Sequence, residues 1–247
     1  MNDFRAVSRT DLGRERDRNE DFAIETGLRA GAHLLAVADG MGGHAAGDVA
    51  SATALKAFHD RISEGLSDDT EGLPARTLLT GAVEAANEAV LDAGAGSGTE
   101  GMGTTLVAAL VTCDEVVVVN VGDSRAYLVG GDPPRIERVT VDQSIANEMV
   151  EKGLLSREDA RDHPQRHVLS QALGVTEDVD PDFFSVSLSG DTLLLCSDGL
   201  TEEVTDEAIG RAVVESADLA GAAEALIDRA IEGGGSDNVS VVLGRWG

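Results

Sequence analysis

Three apolar runs in this chain end on an aspartate. Leu34-Leu35-Ala36-Val37-Ala38 runs into Asp39, Val116 to Val121 is followed by Gly122-Asp123, and Leu193-Leu194-Leu195-Cys196-Ser197 leads to Asp198. Each reads as a buried strand that delivers one carboxylate at its carboxyl end. Two acidic clusters precede strands instead: Asn19-Glu20-Asp21 before Phe22, and Asp237-Asn238 before Val239. In antiparallel sheets the start of one strand lies beside the end of its neighbour, so all five clusters can gather on one lip. Carboxylates gathered in this way repel and raise one another's pKa values unless a cation compensates. The donors are all oxygen, with no suitable His or Cys cluster, and that set points to Mg²⁺ or Mn²⁺ before Zn²⁺.

The loop after Asp39 is the most unusual segment: Gly40-Met41-Gly42-Gly43-His44-Ala45-Ala46-Gly47. Three glycines in four positions permit close backbone approach and expose carbonyls suited to hard cations before a helix begins near Gly47. No Lys-Ser/Thr pair follows, which counts against a phosphate-cradling P-loop. The Asp-Gly pairs themselves are uninformative. A chain of 247 residues with 29 glycines and 25 aspartates is expected to hold roughly three of them by chance, and this one holds two. A single Asp at a strand end is more often a turn residue than a ligand. The repeated strand-then-aspartate layout carries the argument.

The elements that must position these groups follow from periodicity. Strands are expected near Phe4–Ser8, Phe22–Glu25, His33–Ala38, Thr105–Thr112, Glu115–Val121, Arg125–Val129, Thr192–Cys196 and Val239–Leu243. Helical spacing covers Gly47–Ser63, Leu73–Asp92, Gln143–Lys152, Thr205–Val214 and Leu219–Ile231. Strands come first, then two consecutive helices, then several strands, and regular βαβ alternation is absent. An α+β protein with antiparallel sheets covered by helices is the natural reading. Thr105 to Val129 reads as a meander, turning at Cys113-Asp114 and Asp123-Ser124. Ser67–Gly72 and the glycine-rich Gly94–Gly103 are candidates for disorder, and no linker demands a second domain within residues 1–247.

Composition excludes several classes. The chain carries 19 basic against 45 acidic residues, a formal net charge of −26, which would repel nucleic acid and anionic membranes. The longest uncharged stretch, Gly101 to Cys113, falls short of the ~18–20 residues that span a bilayer. No secretory signal is visible at the N-terminus, so a cytoplasmic location is expected. Cys113 and Cys196 sit in apolar runs and read as reduced core residues. Only Lys56 and Lys152 are lysines. That bias, with the charge, predicts a protein solvated by concentrated salt, where repulsion is screened within ~3 Å at 1 M. An ordinary acidic protein from a GC-rich genome is the competing reading.

Taken in order, the segments Gly13-Arg14-Glu15-Arg16-Asp17-Arg18-Asn19-Glu20-Asp21, Asp39-Gly40-Met41-Gly42-Gly43-His44, Gly103-Thr104-Thr105, Gly122-Asp123-Ser124-Arg125, His163-Pro164-Gln165-Arg166, Ser197-Asp198-Gly199-Leu200 and Ser236-Asp237-Asn238 resemble the metal-dependent protein phosphatase 2C family in its compact prokaryotic form. The resemblance covers nearly the whole chain. It implies a four-layer αββα sandwich of two antiparallel sheets flanked by helices. It also implies a centre of two Mg²⁺ or Mn²⁺ ions, with a third in bacterial relatives. Asp21, Asp39, Asp198 and Asp237 would hold the pair with the Gly40 carbonyl, Glu20 would act through a water, and Asp123 would join Asp198 at the third site. Arg16 would bind the substrate phosphate, and the stretch from about 143 to 167 would be the flap that influences substrate choice.

The activity so implied is hydrolysis of phosphoserine and phosphothreonine in proteins. A water activated between two metals attacks the phosphoryl group in line, with no phosphoenzyme. Arg16 matches a phosphate dianion through its planar fork, and His44 is the candidate acid for the leaving alkoxide. Phosphorylated proteins, a serine/threonine kinase among them, are the implied partners of a monomer. Two positions depart from the pattern. Gln143 stands where many relatives have a histidine, and His44 lies further from Asp39 than the acid histidine of the eukaryotic enzymes. The alternative is a catalytically silent phosphoprotein- or metal-binding module with the same fold, whose signature would be a lost ligand; none is lost.

Overall fold

A computed structural model describes residues 3–42, 46–66, 73–96, 98–113, 115–161 and 163–247. The first half contains β1 (Phe4–Asp11), β2 (Asp21–Gly27), β3 (His33–Met41), α1 (Gly47–Gly65), α2 (Ala75–Gly94), β4 (Gly103–Thr104), β5 (Leu106–Val111), β6 (Val116–Val121) and β7 (Arg125–Gly130). There follow β8 (Arg135–Arg138), α3 (Ile145–Glu151), α4 (Arg157–Arg161), β9 (Asp182–Val186) and β10 (Thr192–Cys196). The chain ends with α5 (Asp198–Thr201), α6 (Asp206–Glu215), α7 (Leu219–Gly233) and β11 (Val239–Trp246). One sheet has the order β1-β11-β10-β7-β8 and the other β2-β3-β5-β6-β9, with β4 paired to the end of β3. Every pairing is antiparallel. No described helix is long and apolar enough to cross a membrane.

The continuous apolar runs have a structural cause: the central strands are covered on both faces. Leu34, Ala36 and Ala38 of β3 pack with Leu55, Phe58 and Ile62 of α1 and with Leu79 and Val83 of α2. The alternate residues Leu35 and Val37 meet Leu193 and Leu195 of β10 and Val242 of β11 in the layer between the sheets. On the far side, Leu194, Cys196, Val241 and Leu243 pack under α6 and α7. The result is helices, sheet, sheet, helices.

Three expectations are corrected. Thr105 to Val129 is not one meander. β5 and β6 pair, but after Gly122 the chain crosses to the other sheet, where β7 lies between β10 and β8. Cys113 is exposed while Cys196 is buried, because the β5–β6 register ends at Val111↔Val116 and the Thr112 N–H already closes the turn on the Glu115 carbonyl. The helix near Gln143 starts only at Ile145, after Ser144 caps it by accepting the Asn147 N–H. Ser67–Gly72 lies outside the described residues, and the described part of Gly94–Gly103 is largely turns leading into β4.

Candidate metal centre

Side-chain alternation carries Asp39 to the site. Leu35 and Val37 face the second sheet, so Asp39 faces it too, and the β2–β3 register sets Asp21 directly opposite. Towards this end the layer between the sheets turns from apolar to polar. The Thr105 hydroxyl accepts the Asp39 N–H at 3.0 Å and lies 2.7 Å from Ser124 Oγ. The buried Ser197 hydroxyl donates to Asp21 Oδ2 at 2.7 Å and accepts the Ser240 N–H at 2.9 Å. Ser240 in turn donates to Thr10. Beyond these hydroxyls stand the carboxylates.

Asp21, Asp39, Asp123, Asp198 and Asp237, from segments far apart in sequence, act on one another electrostatically. Burial pushes Asp21 up to about 7, helped by the charges of Asp198 and Asp237 and opposed by the Ser197 and Ser240 hydroxyls. Asp39 is raised well above the carboxylate range by burial and then by Asp21 and Asp198. Asp123 rises to about 8 through burial and the charges of Asp198 and Asp142, and Asp198 to about 6 through burial, Glu202 and Asp237. Asp21 Oδ1 and Asp198 Oδ1 are buried with no hydrogen-bond partner. Carboxylate oxygens left bare among like charges are what a hard cation would satisfy, so the residues present fit a divalent metal.

Gly40 and Gly199, blank as sequence pairs, have steric reasons. A Cβ on Gly40 would lie 2.0 Å from the Gly47 carbonyl oxygen and 2.6 Å from that of Glu20. One on Gly199 would lie 2.1 Å from the Asn238 carbonyl oxygen. Gly47 is likewise pressed against the half-buried Glu20 carboxylate, 2.7 Å from a would-be Cβ. The exposed Arg16 pairs with Asp237 Oδ2 at 2.5 Å. His44 lies outside the described residues.

Two groups escaped sequence reasoning. His167 Nδ1 is 2.7 Å from Glu202 Oε1, and both offer ligand atoms within 4.8 Å of one from Asp198. Glu202 follows Asp198 by one helical turn, a signal visible only once α5 is recognised. Beside them a cleft of about 950 Å³ runs from Asp123 and Asp198 under α3 to α6. Gln143, the departure noted above, is structural: its Oε1 accepts the Gly122 N–H and its Nε2 donates to the Asp180 carbonyl and to Asp182.

The protein phosphatase 2C family model matches residues 14–226. The serine/threonine phosphatase stp of Listeria innocua is 41% identical over 239 residues, covering 96% of this chain and 94% of that protein. The solved serine/threonine phosphatase of S. agalactiae superposes with a TM-score of 0.90 at 32% identity, covering 99% of this chain and all of that one. The catalytic domain of the phosphatase PstP, solved in complex with two manganese ions, superposes with a TM-score of 0.80 at 36% identity, covering 98% and 97% of the two chains. The chain belongs to the protein phosphatase 2C family, whose phosphatases are metal-dependent.

Proposed function

We propose that this chain is a Mg²⁺- or Mn²⁺-dependent phosphatase of phosphoserine and phosphothreonine in proteins. The observation that carries the reading is the convergence of five aspartates with two bare, buried carboxylate oxygens. Asp21, Asp39, Asp198, Asp237 and the Gly40 carbonyl would hold two metals, with Glu20 acting through water and Asp123 with Asp198 at a third. Such metals supply Lewis acidity toward phosphoryl oxygens and acidify water. The protein's own part is to fix and shield. Ser197 and Thr105 hold the Asp21 and Asp39 positions. Arg16 presents its guanidinium at the rim, where it orients a phosphate dianion and offsets the acidic field. His44 is assigned the proton for the leaving alkoxide from its place after Asp39 in the sequence. The cleft beneath the 143–167 segment receives the residues around the phosphorylated side chain, in a protein kinase among other partners. The enzyme acts as a cytoplasmic monomer.

The test is release of phosphate from a phosphothreonine peptide with Mn²⁺, with Mg²⁺ and with EDTA, at low and at molar KCl. Turnover should require metal and fall at least about a thousandfold in Asp39→Asn and Asp198→Asn. A folded protein that binds Mn²⁺ and turns over nothing in any condition would overturn the reading. Activity that survives only in concentrated KCl would support the high-salt adaptation, and full activity and stability in low salt would reject it.

A further inference from the structure

The segment from Leu12 to Asn19 carries Arg16 and belongs to no helix or strand, yet one buried side chain fastens it on both sides of that arginine. Asn238 is 4% exposed. Its amide donates to the Leu12 carbonyl at 2.8 Å and to the Arg18 carbonyl at 2.9 Å, and its Oδ1 accepts the Glu20 N–H at 2.8 Å. Both amide hydrogens are therefore committed to the Arg16 segment, and the carbonyl to Glu20 just after it. The Asn238 backbone N–H meanwhile donates to Asp237 Oδ1 at 2.7 Å, on the carboxylate whose other oxygen meets Arg16. Two more contacts close the loop onto the same stretch. The Arg14 N–H donates to the Gly235 carbonyl at 2.7 Å. Gly13, at φ 78°, lies so near that a Cβ would sit 2.2 Å from the Asp237 carbonyl oxygen.

We propose that Asn238 is a positioning residue for phosphate recognition, gripping the chain at Leu12 and Arg18 so that the Arg16 guanidinium is held at the carboxylate lip. The inference rests on the reading of Arg16 as the phosphate-binding arginine. A backbone segment with no ladder of its own has many conformations, and ordering it before substrate arrives removes that cost from binding. Displacement by about 1 Å is enough to cost a large factor in a site of this kind.

The experiment is a double-mutant cycle between Arg16→Ala and Asn238→Ser at saturating Mn²⁺. It reads inhibition by inorganic phosphate, KM and kcat on a phosphothreonine peptide, and Mn²⁺ affinity by direct titration. Arg16→Ala should weaken phosphate inhibition and raise KM by about tenfold or more. Asn238→Ser should weaken both about tenfold, with kcat within about threefold and Mn²⁺ affinity within about twofold. In the Arg16→Ala background its effect should shrink to less than about twofold, because it acts through that arginine. If Arg16→Ala alone changes neither phosphate inhibition nor KM, the underlying reading of Arg16 fails. If Arg16→Ala does weaken phosphate but Asn238→Ser keeps its full effect in that background, the positioning role alone is overturned. Should Asn238→Ser not fold, Gly13→Ala takes its place. It pushes the same segment off Asp237 from the other side and should show the same non-additivity; additivity there overturns the proposal equally.

Discussion

The carboxylate lip and the 143–167 segment face each other across one cleft and are built on opposite plans. At the lip the backbone itself is interlocked: Gly40 touches the Gly47 and Glu20 carbonyls, Gly199 touches that of Asn238, and Asp21 is paired to Asp39 across a ladder. The described residues of the 143–167 segment are tied to the body near its two ends, by Gln143 to Gly122, Asp180 and Asp182, by the bridge between Ser144 and Leu169, and by His167 to Glu202. Between these pins, α3 buries only Ala146, and Leu154 stands 73% exposed. The contrast teaches a division of labour. The groups proposed to share a metal, which such a role would require to be placed within a few tenths of an ångström, sit where no residue can shift alone. The segment proposed to meet protein substrates has few contacts to lose.

The sharpest way to break that comparison is at its tightest contact. Gly40→Ala and Gly199→Ala force a methyl into backbone that cannot yield like a side chain, and each should destabilise by at least about 3 kcal/mol, read as a shift in the urea midpoint. A loss below about 1 kcal/mol would mean the lip is as pliant as the segment opposite.

An intermediate effect is expected from pH. The Asp198, Asp21 and Asp123 carboxyls have folded values of about 6, 7 and 8 against 3.8 for the ordinary group. The folded protein therefore holds protons that the unfolded chain has lost between these values. The cluster's contribution to stability is fully present below about pH 4 and is lost as pH rises through about 8. Melting of the EDTA-treated protein at pH 5 and pH 8 should show this fall, and saturating Mn²⁺ should flatten it. Asp123→Asn should reduce the slope, and an unchanged slope would remove Asp123 from the cluster.

The smallest effect belongs to the facing segment. Leu154→Ala should leave stability within about 0.5 kcal/mol while lowering kcat/KM for a protein substrate two- to fivefold. A stability loss above about 1.5 kcal/mol would show that this segment is packed like the lip.

Most strands could be placed from sequence because burial on both faces writes itself as an unbroken apolar run, as in Leu34–Ala38 and Leu193–Cys196. β8 and β9 escaped because neither carries an apolar run long enough to register, although the edge strands β1 and β2 were found. Arg135-Ile136-Glu137-Arg138 carries three charges, and Asp182–Val186 leaves two of its five positions exposed. Helix α5 was missed because four residues are too short for periodicity to register, and with it went the link between Asp198 and Glu202.

The sequence by itself determined the chemistry on offer: oxygen ligands at the ends of apolar strands, an arginine among them, and a charge hostile to polyanions. These are properties of residue type and local period, which need no knowledge of distant partners. Only the tertiary structure decided which strands share a sheet, sending β7 away from β6 at Gly122. It also decided that Ser197 meets Asp21 and that Asn238 grips the chain around Arg16. Those pairings join residues about two hundred positions apart, and a contact at that separation leaves no trace in the local pattern of either partner.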